Sequence, residues 1–102
     1  GYSRRLSNRG SVLIHGTRCP ILGKVCMDQC MVDVSAVPQA KVGDTVTLIG
    51  RDGEDEITAA EIAGIMETIH YEVVCDISKR VTRVYLKNGK EVSVLDCILD
   101  KY

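Results

Sequence analysis

The chain has 102 residues, 45 % of them apolar, and a formal net charge of −1. That length suits one compact domain, and the near-neutral charge gives no reason to expect nucleic acid or an anionic membrane as partner. Aromatic residues are only 4 % and all are tyrosine, so the core has to be built from Val, Ile, Leu and Met. The five cysteines (19, 26, 30, 75 and 97) are an odd number set among apolar residues. They read as free, packing thiols of a reducing compartment, not a disulfide framework. No apolar run approaches the roughly 20 residues that span a bilayer, and no secretory signal is read, so the expected location is the cytoplasm. The chain opens on Gly1-Tyr2 without an initiator Met, as expected of a piece of something longer.

In chain order, Arg4, Arg5 and Arg9 read as a solvated or subunit-facing surface. Val12-Leu13-Ile14 is a short strand before the turn-like His15-Gly16. Strands are expected from Ile21-Leu22 to Cys26, from Met31 to Val34, and over Thr45 to Ile49. The last is bounded by Val42-Gly43-Asp44 and by Gly50-Arg51-Asp52-Gly53, where glycine can supply a positive φ. Thr58 and Glu61 have capping-box spacing, and Ala59, Ile62, Ala63, Ile65 and Met66 share one helical face, which predicts a helix over 59–67. Gly64 weakens that helix. Glu72-Val73-Val74-Cys75 and Arg83-Val84-Tyr85-Leu86 read as strands. Asn88-Gly89 marks a hairpin whose return strand is Glu91 to Val94. The fold class expected is therefore mostly β: a small twisted barrel or sandwich with one short helix, residues 1–102 forming a single domain.

The chemistry concentrates in Gly23 to Val34, where Met27-Asp28-Gln29 stands between Cys26 and Cys30. Cys26-x3-Cys30 lacks the tight paired knuckles of structural zinc, and no second pair follows. A nucleophilic cysteine needs a nearby His or a helix N-terminus, and no spacing places His15 or His70 there. His15 reads as a turn residue. His70 is the better acid–base candidate because it adjoins Tyr71, whose hydroxyl can serve an anionic ligand or merely cap a ring packed on the sheet.

Several segments in register resemble the C-terminal domain of alanine racemase, a pyridoxal-phosphate enzyme family. Gly1 to Asn8 is similar to the end of a G-Y-x-D-G-[YW] segment, and Val25-Cys26-Met27-Asp28-Gln29 to R-[VI]-C-M-D-Q. Val42-Gly43-Asp44 with Leu48-Ile49-Gly50, Thr68-Ile69-His70-Tyr71-Glu72-Val73, and Arg80 to Tyr85 resemble V-G-[DT]…L-I-G, T-I-N-Y-E-V and R-V-P-R-x-[YF]. The resemblance covers essentially the whole chain.

What the resemblance implies is specific. The family's enzymes join a TIM barrel, which holds pyridoxal 5'-phosphate on a lysine, to a mostly β C-terminal domain. They pair head to tail as homodimers, so each site receives residues from the partner's β-domain. The reaction interconverts L- and D-amino acids, supplying D-alanine for cell-wall peptidoglycan, and the cofactor serves as electron sink. The barrel and both bases (the lysine and a tyrosine of an S-Y-G segment) fall outside this chain. No catalytic residue is therefore expected here, and neither turnover nor stable cofactor binding by the chain alone. Met27 matches a position whose backbone N–H binds the substrate carboxylate, with Asp28 supporting the loop. Tyr71 matches a tyrosine that bonds the cofactor phosphate. Lys24 stands where an entrance arginine is common, Thr82 replaces a proline, and His70 replaces an asparagine. Tyr71 favours alanine over serine as substrate. Membrane-anchored serine/alanine racemases of glycopeptide-resistant bacteria carry a similar domain, which extends the resemblance to vancomycin resistance and to an anchored parent. Two other readings are a non-catalytic β-domain used for dimerisation or binding, and the β-domain of a related pyridoxal-phosphate decarboxylase.

Overall fold

A computed structural model describes residues 1–96, so Cys97 lies outside the described residues. After a 3-10 turn at Arg4–Leu6 come strands β1 (Ser11–Ile14), β2 (Thr17–Leu22), β3 (Met31–Val32), β4 (Gly50–Asp52) and β5 (Asp55–Ile57). Helices α1 (Ala59–Met66) and α2 (His70–Cys75) follow, then strands β6 (Arg83–Lys87) and β7 (Lys90–Leu95). The strands form a β1-β2-β3 sheet and two separate hairpins, β4-β5 and β6-β7, all antiparallel. The mostly β expectation holds, but with two helices and no closed barrel among the described residues.

The core follows from side-chain periodicity. Val12, Leu13 and Ile14 of β1 are all buried, as a short unbroken apolar run predicts. In β2 the period-two alternation takes over: Cys19 and Ile21 point inward, Arg18, Pro20 and Leu22 outward. Leu6, Val25, Val37 and Ile57 complete that side, and α1 closes it with Ile62, Ala63 and Met66. Thr58 caps α1, its hydroxyl accepting the Glu61 N–H at 3.0 Å. Glu61 leaves the second half of the capping box unmade and turns to Arg18 instead. Arg18 donates from Nη1 and Nη2 to the two Glu61 carboxylate oxygens (2.7 and 2.8 Å), from Nε to Asp55 (3.0 Å) and from Nη2 to the Glu56 carbonyl (2.8 Å). This cation ties β2, β5 and α1 together. Its hydrogen bonds hold the Glu61 carboxyl below the usual range, and the Glu56 N–H and then Arg18 do the same for Asp55.

Four expectations are corrected. The strand expected to reach Cys26 stops at Leu22, because Gly23 takes φ +70° and turns the chain off the ladder. Met31 to Val34 keeps only Met31–Val32 in the sheet, since Asp33 accepts the Ser35 N–H and hydroxyl and starts a turn. Thr45 to Ile49 is not a strand: only Thr47 pairs, in an isolated bridge with Leu13, and Gly50–Asp52, expected as a turn, is a strand with its turn at Gly53-Glu54. Glu72 to Cys75 is helical, not extended. There Val73 is buried within the core that α1 completes, and the Thr68 hydroxyl bonds the Glu72 carboxylate at the start of α2. Tertiary packing overrides the β preference of the two valines.

The cysteine expectation also needs correction. The four described cysteines form no disulfide, as expected, but only Cys19 is a packing thiol; Cys26 and Cys75 are exposed and Cys30 is half-buried. Burial pushes the Cys19 thiol up, with Asp33 adding to it, so it is inert.

Candidate functional site

Residues 23–30 form a loop clamped at its base by the N-terminal turn. The Gly23 N–H donates to the Asn8 side-chain oxygen at 2.6 Å, the Asn8 N–H to the Gly23 carbonyl at 3.1 Å, and the Val25 N–H to the Ser7 hydroxyl at 2.8 Å. Buried Val25 pins one limb in the core. The Cys26 N–H donates to the Gln29 carbonyl at 2.8 Å, which closes the tip around Met27 and Asp28. Met27 is 92 % exposed, and among the described residues its N–H makes no hydrogen bond. Asp28, expected to support the loop, makes no hydrogen bond among the described residues. Asn8, Ser7 and the Cys26–Gln29 pair do that work.

The loop forms one wall of a cavity of about 680 Å³. The other walls are Tyr2 and Leu6 at the N-terminus, Val46 to Ile49, Ile62 and Met66 of α1, Val73 of α2, and Asp76 to Ser78. Gly1 also lines it, so tightly packed that a Cβ there would collide with the Asp76 carbonyl oxygen. Burial, with Cys30 close by, pushes the Tyr2 phenol up to about 12, so it stays protonated at neutral pH.

Of the residues singled out in the sequence, Met27 and Asp28 line the cavity; Lys24, His70 and Tyr71 do not. Tyr71, on the first turn of α2, is 67 % exposed, and its ring lies 4.3 Å from that of His70, tilted by 52°. His15 is a turn residue, as read, at φ +52°, and its Nε2 shares a 2.9 Å hydrogen bond with Asp44. Sequence reading missed Val46 to Ile49 and Asp76 to Ser78 as cavity walls. Their mixed apolar and polar residues, Val46-Thr47-Leu48-Ile49 and Asp76-Ile77-Ser78, carry no local signal of a cavity. Among the described residues no three His, Cys, Asp or Glu side chains converge on a point that could hold a metal.

Among the described residues no lysine or arginine lines the cavity, while Asp28 and Asp76 do. A pyridoxal phosphate needs a lysine for its aldehyde and cations or N–H donors for its phosphate. The described residues that line the cavity do not supply those cations.

The described residues thus give a small β module with a cavity and, at its rim, a clamped loop whose Met27 N–H has no partner among them. The family described as "Alanine racemase, C-terminal domain" matches residues 1–85, and the chain belongs to that family. The alanine racemase of Symbiobacterium thermophilum is 60 % identical over 85 residues, covering 83 % of this chain and 22 % of that protein. Among solved structures, the alanine racemase of Bacillus anthracis with bound L-Ala-P superposes with a TM-score of 0.88 at 43 % identity, over 95 % of this chain and 24 % of that one. The alanine racemase of Bartonella henselae with covalently bound pyridoxal phosphate superposes at 0.76 and 32 % identity, over 84 % of this chain and 24 % of that one. The chain thus spans about a quarter of the length of the relatives it matches.

Proposed function

We propose that this chain is the C-terminal domain of a pyridoxal-phosphate-dependent alanine racemase and supplies one wall of an active site whose cofactor and bases lie in other parts of the assembly. The observation that carries this reading is the Met27 N–H, without a partner among the described residues and held at the tip of a clamped loop in a chain that matches the family over residues 1–85. A backbone N–H in a clamped loop is placed to donate to a substrate carboxylate without reorganisation. Lys24, exposed two residues before the closed tip, adds positive charge for an incoming amino acid. The Tyr71 phenol, also exposed, reaches the phosphate of a cofactor bound elsewhere, with the His70 ring fixing its orientation. The wall faces the barrel of a second subunit in a head-to-tail homodimer. Alanine is the preferred substrate, with serine a weaker one, and the D-alanine product feeds peptidoglycan. The cytoplasm is the expected location. Among the described residues no helix is long and apolar enough to cross a membrane.

The test acts on Tyr71. In the full-length enzyme, Tyr71→Phe raises the dissociation constant for pyridoxal phosphate about tenfold or more, the loss of one hydrogen bond to a charged group. Thermal stability stays at the wild-type value, because the phenol has no hydrogen-bond partner among the described residues. Cofactor titration by absorbance checks this, and wild-type affinity in the variant removes Tyr71 from the site.

A further inference from the structure

Two thiols share the loop that carries Met27. Cys26 and Cys30 stand four residues apart, and both line the cavity. Cys26 is exposed, and its Sγ donates to the Lys24 carbonyl at 3.7 Å. Cys30 is half-buried and, like Tyr2, packs against the core. The 2.8 Å bond from the Cys26 N–H to the Gln29 carbonyl limits how far apart the two can be. The peptides are trans. A trans peptide keeps a carbonyl oxygen within about 3 Å of the next Cα, and a Cα lies about 1.5 Å from its own nitrogen. The Cα atoms of Cys26 and Cys30 are therefore at most about 7 Å apart, and closer for any bend at the bonded oxygen. A disulfide spans Cα separations of about 4.4–6.8 Å.

We propose that Cys26 and Cys30 are a redox pair, which a hydroperoxide joins into a disulfide within the loop, turning the Met27 N–H away from its carboxylate. The Cys26 sulfur attacks one peroxide oxygen, the O–O bond breaks, and a sulfenic acid and one water result. The Cys30 thiol then attacks that sulfur, the S–O bond breaks, and a second water leaves with the thiol proton. Two thiols thus give up two electrons and two protons, and the peroxide is reduced to water. A thiol reductant reverses the bridge by exchange. The coupling to Met27 runs through the backbone. Its N–H belongs to the peptide that starts at the Cys26 carbonyl, so swinging Cys26 towards Cys30 rotates the donor. The Asn8 and Ser7 clamps and buried Val25 hold the base of the loop, which confines the motion to the tip. This effect on Met27 rests on reading it as a carboxylate donor in a longer racemase; the bridge itself does not.

Peptide mapping of the full-length protein after one equivalent of hydrogen peroxide tests the bridge. Trypsin cuts after Lys24 and Lys41, so one peptide, residues 25–41, holds Cys26 and Cys30 and no other cysteine. It should lose two hydrogens and regain them with dithiothreitol. An added oxygen without that loss, or a cross-link to Cys19, Cys75 or Cys97, overturns the proposal. On the same sample kcat/KM for L-alanine should fall about tenfold or more and recover with dithiothreitol, the loss of one hydrogen bond to a charged group. A bridged enzyme with unchanged kcat/KM overturns the effect on Met27, and a loss that dithiothreitol does not restore assigns the damage to the exposed Met27 sulfur instead. A fully reduced parent that does not racemise alanine defeats the racemase reading, whatever the peptide masses show.

Discussion

In the full-length enzyme, Met27→Pro is expected to lower kcat/KM for L-alanine by roughly 10- to 150-fold, while Met27→Ala stays within a few-fold of wild type. The argument separates backbone from side chain. The Met27 side chain is almost fully exposed and contributes nothing to the core, so truncating it is cheap. Proline removes the N–H, and it also fixes φ at position 27 and restricts Cys26. The clamps at Gly23, Val25 and Cys26 involve other atoms. A hydrogen bond to a charged group is worth about 1.5–3 kcal/mol, which sets the size of the expected loss. Steady-state kinetics on both variants, with melting curves to confirm the fold, decide it. A proline variant with wild-type kcat/KM, or an alanine variant as damaged as the proline one, assigns the carboxylate to another donor.

The second large effect is on stability. Leu13→Ala should destabilise the domain by about 2–5 kcal/mol, the range for removing a fully buried leucine side chain without collapse of the cavity. Leu13 is wholly buried, sits in the centre of β1, pairs with Arg18 on one side and bridges Thr47 on the other. Its loss also loosens the segment that walls the cavity. Chemical denaturation gives the number, with Val42→Ala, at a fully exposed position, as the control that should change nothing. A Leu13→Ala midpoint equal to that of the control would contradict the placement of the core.

These two residues illustrate what a sequence discloses. Val12-Leu13-Ile14, the Thr58-capped helix and the Asn88-Gly89 hairpin are local: each is specified by residues within a few positions, and the structure has all three. Asn88 and Gly89 take φ +52° and +77°, as a two-residue hairpin turn demands. Segments whose conformation depends on distant partners were misread. Val73-Val74 looks like a strand until α1 offers a surface for Val73, and Thr45 to Ile49 looks like a strand but finds only Leu13 to pair with. The candidate site divides the same way. Gly23 to Cys30 announces itself through its unusual residues, and the Met27 N–H makes no hydrogen bond among the described residues. The clamp from Ser7 and Asn8, some fifteen residues upstream, has no local signal, and neither does Tyr2, whose burial arises from the cavity.

Whether the parent of this chain racemises alanine, with this domain as one wall of the site, is decided by incubating the purified full-length protein with L-alanine and pyridoxal phosphate and resolving the enantiomers. D-alanine should accumulate until the two enantiomers are equal, and residues 1–102 alone should produce none. L-alanine left unchanged by the full-length protein, or turnover by the isolated chain free of contaminating racemase, would contradict that reading.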